Sequence, residues 1–172
     1  MEQQQKRDLV VMGVAGSGKT TLAQYLSQAL GYHYLEGDDF HSPEGKALMA
    51  SGQPLSSSLR ERWVEALCQQ LGQHRLAGQP VVLSYSGLIA RHRQQIRQAG
   101  NRPLFIYLCG DRALLLRRLE QRQGHFMPPS QLDNQLSTME PPSGEADVLT
   151  LALDCPPAEV LTQVLAQLRQ GQ

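Results

Sequence analysis

The 172-residue chain sets 16 Lys and Arg against 16 Asp and Glu, so its formal net charge at neutral pH is zero. That balance removes the electrostatic case for nucleic acid as the main partner, and no apolar run approaches the ~20 residues of a membrane span. The length suits one ordinary domain over residues 1–172, large enough to bury a sizeable core.

Residues 1–7 form a polar lead-in rather than a signal sequence, so a soluble cytoplasmic protein is expected. Cys68, Cys109 and Cys155 are odd in number, widely spaced and free of any C-x-x-C pair. They read as small buried hydrophobes, not as a disulfide framework or a zinc site. Leu9-Val10-Val11-Met12 suits a buried parallel strand, and Gly13-Val14-Ala15-Gly16-Ser17-Gly18-Lys19-Thr20 then fills every fixed position of Gly-x-x-x-x-Gly-Lys-Thr. Residues 21–30 follow with apolar side chains at helical spacing. Strand, glycine loop and helix in that order give the motif its mechanism. Glycines let successive backbone N–H groups turn inward as an anion nest, and the helix start adds its unpaired N–H groups and positive dipole end. Lys19 would reach the β- and γ-phosphates, and the Thr20 hydroxyl would sit on Mg²⁺. The chain is expected to bind a nucleoside triphosphate.

His33-Tyr34-Leu35-Glu36 reads as a second strand ending in the acidic turn Glu36-Gly37-Asp38-Asp39-Phe40-His41. Leu59, Trp63, Leu67 and Leu71 recur four apart on one helix face. Residues 80–85 give a third strand, residues 89–98 a polar, basic helix and residues 104–108 a fourth strand, after which Asp111 is a good N-cap. Residues 148–153 give a fifth strand, and a last helix carries Val160, Leu161, Val164, Leu165 and Leu168. Such alternation implies βαβ units, right-handed crossovers and a three-layer αβα fold around a five-stranded parallel sheet. Residues 123–145, rich in Pro and Gly and entered through Arg117, Arg118 and Arg122, break the pattern. A stretch of that length is read as a mobile lid closing over phosphates; a surface loop after a solvated basic helix end is the alternative.

The phosphate loop alone does not separate kinase, GTPase and motor ATPase. No guanine-reading Asn-Lys-x-Asp segment is present, and the third strand ends Ser84-Tyr85-Ser86 without the acid an ATPase usually carries there. The acids stand after the second strand instead, facing the loop across the carboxyl edge of the sheet. A carboxylate at that point accepts the proton of a substrate hydroxyl or holds Mg²⁺ through water, and Asp38 is the choice, with Glu36 and Asp39 as neighbours. A polar turn capping the next helix is the competing reading.

The chain resembles the small gluconate kinases of the P-loop kinase group, relatives of shikimate and adenylate kinases. The resemblance rests on the phosphate loop, Glu36 to His41, Met49-Ala50-Ser51-Gly52-Gln53-Pro54-Leu55, Arg60 with Trp63, Phe105-Ile106-Tyr107-Leu108, and Arg122-Gln123-Gly124-His125-Phe126. It implies transfer of the γ-phosphoryl group of ATP to the 6-hydroxyl of D-gluconate with Mg²⁺, and a homodimer. By it, Gly13, Ala15, Gly16, Ser17, Gly18, Lys19, Thr20 and Thr21 bind nucleotide, with Arg118 near adenine. Lys19, Asp38 and the lid arginine Arg122 are catalytic, Thr20 and Asp38 serve the metal, and His41 and His125 lie near the sugar acid.

The chain departs from the family pattern in the acceptor segments. Gly45 and Leu48 stand where Asn and Lys are usual, and Ser57 and Leu59 where two acids are usual. Ile89 replaces a Lys after the third strand, and Gln94 replaces an Asp. The acceptor half of the site therefore reads as rewritten. A polyhydroxy acid still needs a cation for its carboxylate and a row of hydrogen-bonding groups. Arg60, Arg62, Arg91 and Arg93 are the candidates, with Arg60 and Arg93 preferred, and each also reads as a solvated surface arginine. A kinase of another sugar acid or polyol, and a nucleotide-binding regulatory protein without transfer, stand as alternatives.

Overall fold

A computed structural model describes residues 6–121, 129–154 and 157–170. Five strands, β1 (Leu9–Met12), β2 (His33–Glu36), β3 (Val81–Tyr85), β4 (Leu104–Cys109) and β5 (Val148–Ala152), form one sheet in the order β2-β3-β1-β4-β5. Every pairing is parallel. The helices are α1 (Lys19–Leu30), α2 (Pro43–Ala50), α3 (Ser57–Leu76), α4 (Ala90–Ala99), α5 (Arg112–Glu120), α6 (Pro129–Thr138) and α7 (Pro157–Gln170). A 3-10 turn, Gly37–Phe40, follows β2.

Because alternate residues of a strand face opposite sides, β1 feeds two cores. Leu9 and Val11 pack with Leu22, Ala23, Leu26, Leu115 and Val164 on one side. Val10 and Met12 pack with Val64, Leu67, Leu71 and Ile96 on the other. That arrangement is the expected three-layer α/β sandwich. Capping follows the sequence: Asp111 accepts from Leu114 N at 2.8 Å at the start of α5, and Ser56 accepts from Leu59 N at 3.2 Å at the start of α3.

Two elements were not anticipated. Helix α2 occupies Pro43–Ala50, with the Ser42 hydroxyl accepting from Gly45 N at 3.1 Å and Pro43 in its first turn. Helix α6 lies inside the stretch read as a lid, whose residues 122–128 fall outside the described ones. The cysteines also differ from expectation: Cys68 is half-buried and Cys109 exposed at the end of β4, while Cys155 lies outside the described residues. Among the described residues, no helix is long and apolar enough to cross a membrane.

The register aligns the carboxyl ends of three neighbouring strands. Met12 pairs with Tyr85, and Glu36 with Ser84. The phosphate loop, the acidic turn and the segment after β3 therefore leave the sheet along one edge, where ligands of such sheets bind.

Candidate active site

The loop after β1 takes its shape from two glycines in the left-handed region, Gly16 at φ 82° and Gly18 at φ 83°, which only glycine adopts readily. Gly18 is the N-cap of α1, so the loop passes directly into the helix start. Gly13 lies beneath the loop with its N–H donated to Ser86 O at 3.2 Å. Ser17 is buried.

A cavity of about 430 Å³ opens against this loop. Ala15, Gly16, Gly18, Lys19 and Thr20 form its floor, and Asp38 and His41 come from the acidic turn. Lys46, Met49 and Gln53 come from α2 and the segment after it, Arg60 and Trp63 from α3, and Gln131, Asn134, Gln135 and Thr138 from α6. The cavity thus brings together Lys19, Thr20, Asp38, His41 and Arg60, which lie far apart in sequence.

The acidic turn is clamped from behind. Trp63 Nε1 donates to Gly37 O at 2.7 Å, and its ring stacks on His41 with centroids 4.1 Å apart at 20°. Gly37 itself presses so closely on β3 that a Cβ there would collide with the Ser84 carbonyl oxygen. Asp38 remains exposed at the cavity mouth, with His41 Nε2 3.7 Å from its carboxylate. Burial lowers the His41 pKa, partly opposed by Asp38, so the ring is neutral at neutral pH.

Glu36 faces the loop rather than solvent. Its Oε2 accepts from Thr20 Oγ1 at 2.8 Å and also from the Tyr34 hydroxyl. The Thr20 proton is thereby directed to Glu36, which leaves the hydroxyl lone pairs for a cation. Thr20, Glu36 and Asp38 make an all-oxygen donor set, the kind Mg²⁺ takes beside phosphate oxygens and water. Among the described residues no group of three or more His, Cys, Asp or Glu side chains could hold a metal ion on its own.

The remaining expected residues separate. Arg118 and Thr21 border a smaller cavity of about 120 Å³ with Gly18 and Leu153, on the outer side of the loop. There Arg118 Nη2 donates to Leu153 O at 3.0 Å. Arg93 does not reach the large cavity. It is fully buried, donating to Glu145 at 2.7 Å through Nη2 and to Gly87 O at 2.7 Å through Nη1. Its guanidinium is consumed by holding the turn after β3, so the expectation that it meets an acceptor carboxylate is corrected. Arg91 pairs with Glu61 at the surface, 2.8 Å apart, and Arg62 is exposed. Arg122 and His125 lie outside the described residues.

Lys46 and the α6 side chains escaped the sequence reading. Lys46 stands two residues before Leu48, the position where the family pattern carries its lysine. The α6 residues follow an i, i+3, i+4, i+7 pattern that marks one helix face, with proline at the first helical position as the start signal. Conversely, none of Gly45, Leu48, Ser57, Leu59, Ile89 and Gln94 lines the cavity. The departures from the family pattern lie around the site rather than in its lining, so the reading of a rewritten acceptor half is revised.

Comparison with known proteins finds relatives over most of the chain. The AAA domain family matches residues 9–142. A probable gluconokinase of Mus musculus is 36% identical over 178 residues, covering 94% of this chain and 97% of its own length. A gluconokinase of Gluconobacter oxydans is 39% identical over 160 residues, covering 92% and 89%. The crystal structure of a gluconokinase from Sinorhizobium meliloti superposes with a TM-score of 0.87 at 36% identity, covering 98% and 94% of the two chains. A shikimate kinase of Aquifex aeolicus shares the fold, with a TM-score of 0.63 at 16% identity over 95% and 97% of the chains.

Proposed function

The chain belongs to the gluconokinase family of P-loop kinases, and from that premise we propose that it phosphorylates D-gluconate at its 6-hydroxyl using ATP and Mg²⁺. The observation that carries this reading is one cavity lined both by the phosphate loop and by Asp38 with a cationic pair, Lys46 and Arg60. One end suits a triphosphate and the other a carboxylate. Burial lowers the Arg60 pKa, yet a guanidinium titrates so high that it stays charged at physiological pH.

In this reading the loop amides and Lys19 bind the β- and γ-phosphates, and Arg118 flanks the adenine side. Thr20, oriented by Glu36, would hold Mg²⁺ together with Asp38 acting through water. When bound, that ion would neutralise charge on the transferring group. Asp38 accepts the proton of the attacking hydroxyl, and His41, held neutral against Trp63, supplies a hydrogen bond without adding charge. Orientation and charge neutralisation supply most of the rate, since phosphoryl transfer asks little covalent chemistry of a protein. Arg122 and His125 keep the lid and substrate roles that the family resemblance implies.

The cationic wall favours an acid over a neutral polyol. Coupled ATP–ADP turnover on D-gluconate, other sugar acids, D-glucitol and shikimate tests this. Turnover selective for gluconate is expected. Turnover of another acid in its place would redirect the substrate assignment, and ATP binding with no acceptor turned over would favour the regulatory alternative.

A further inference from the structure

Helix α6 has three faces with different surroundings. Leu132 is fully buried, and Leu136 and Met139 just beyond it pack on the core. Ser130, Asp133 and Ser137 face solvent, with Asp133 paired to Arg112 at 2.7 Å. Gln131, Asn134, Gln135 and Thr138 face the cavity. Gln131 is only 8% exposed, although glutamine is mostly a surface residue. An apolar residue there would extend the core at no desolvation cost, so a buried amide at a cavity wall points to a ligand that it meets.

The face is held in register with the phosphate loop. Gln135 Oε1 accepts from Ala15 N at 2.6 Å, which fixes one point of the helix against the loop backbone. Thr138 Oγ1 donates to Asn134 O at 2.7 Å, turning its lone pairs outward as acceptors. At the far end of the helix, Glu140 N donates to Leu88 O at 2.7 Å and Glu140 Oε1 accepts from Ala90 N at 3.0 Å. From Gln131 to Thr138 the face runs about 10 Å at 1.5 Å per residue, longer than an extended six-carbon chain. It presents amide donors and acceptors and one hydroxyl, and no charge. That chemistry matches neither a phosphate nor a carboxylate. It matches a row of hydroxyl groups, each of which both donates and accepts.

We propose that the inward face of α6, Gln131, Asn134 and Thr138 with Gln135 as its anchor, reads the configuration of the acceptor's hydroxyl-bearing carbons. This rests on the sugar-acid reading above and adds the specificity-determining residues to it. Lys46 and Arg60 fix the acceptor's charged end, Asp38 its reactive hydroxyl, and α6 the carbons between. A face of neutral amides discriminates between epimers because a misplaced hydroxyl leaves a desolvated amide unpaired.

The test compares wild type with Gln131→Met, Asn134→Leu and Thr138→Val, variants close in volume that delete the polar groups. Ser137→Ala on the solvent face serves as the control, and thermal melting checks that each variant folds. Initial rates are measured on D-gluconate and on its C2 and C4 epimers, D-mannonate and D-galactonate. The inward variants are expected to raise the KM for gluconate roughly tenfold, on the scale of a lost hydrogen bond to a desolvated group. Their preference for gluconate over the epimers should narrow by a similar factor, while the KM for ATP stays within about twofold. Unchanged gluconate KM and epimer preference in all three folded variants would overturn the assignment while leaving the kinase reading intact. If wild type turns over a different hydroxylated acceptor, the gluconate reading fails alone and the same variants are scored on that acceptor. A wild type silent on every acceptor overturns both.

Discussion

The phosphate loop and the acceptor wall share one cavity but are built in opposite ways. The loop is eight consecutive residues, Gly13 to Thr20, whose geometry is set by two left-handed glycines and the start of α1. Its working groups are largely backbone N–H donors, which any sequence of the right shape presents. The acceptor wall draws Asp38 from a turn after β2, Lys46 from α2, Arg60 from α3 and four polar side chains from α6. Each reaches the cavity only because long-range contacts put its element there. A function carried by backbone shape therefore survives as a local signature. One assembled from side chains does not.

The largest effects are expected where the two halves meet. Asp38→Asn should lower kcat by roughly 10²–10⁴, the range for losing a positioned general base, while the KM for ATP changes less than about twofold. Lys19→Ala should lower kcat/KM for ATP by roughly 10²–10³, as for removal of a group that stabilises transition-state charge. Coupled initial-rate kinetics at varied ATP and acceptor reads both. If Asp38→Asn weakened ATP as much as it slowed turnover, Asp38 would belong to the nucleotide half and the division of the cavity would be wrong.

This asymmetry explains what the sequence disclosed. The strands β1 to β5, the loop and the Asp111 cap are all legible because strand apolarity, glycine placement and capping chemistry are local. The Glu36-Gly37-Asp38 turn was legible as acidic. Its clamp was not, because Trp63 reaches Gly37 O from an element beginning twenty residues later. Arg60 and Arg93 looked equivalent in sequence. Packing divides them: Arg60 lines the cavity, and Arg93 is sealed under the turn at Gly87 by Glu145. Helix α6 was hidden by the prolines around it, although proline at a first helical position starts a helix rather than breaking one. Substitutions such as Ser57 and Ile89 seemed to rewrite the acceptor half. Neither side chain lines the cavity, so motif differences alone overstate a change of site.

A smaller effect separates the charged end of the acceptor wall from the loop. Arg60→Met keeps much of the side-chain volume and deletes the guanidinium. With a charge-assisted hydrogen bond contributing about 1.5–3 kcal/mol, the KM for gluconate should rise roughly ten- to hundredfold. The KM for D-glucitol, which has no carboxylate, should hardly move. Equal losses on the acid and the neutral polyol would mean that Arg60 shapes the pocket without reading charge.

The subtlest break targets the scaffold of the acceptor wall alone. Arg93 has no solvent exposure, so its charge depends on Glu145, which accepts from both Arg93 and Arg97. The same guanidinium holds Gly87 O, and the turn after β3 carries Ser86 and Leu88 into the cavity. Glu145→Gln leaves a buried charge poorly paired, at a cost of about 3 kcal/mol. That corresponds to a fall of roughly 6–12 °C in Tm for a chain of this size. Hydrogen bonds from Arg93 and Arg97 hold the Glu145 carboxyl below its ordinary value of 4.5. A depressed pKa stabilises the folded state above the unfolded value and loses that contribution as pH falls through the folded one. Wild type should therefore lose stability below about pH 4.5, and Glu145→Gln should lose less over the same interval. At neutral pH the variant should raise the acceptor KM a few-fold and change the ATP KM less. Gly16 and Gly18 set the shape of the loop, which meets this turn through the Gly13 N–H to Ser86 O hydrogen bond. An ATP KM that rose in step with the acceptor KM would show the two halves mechanically coupled through β3.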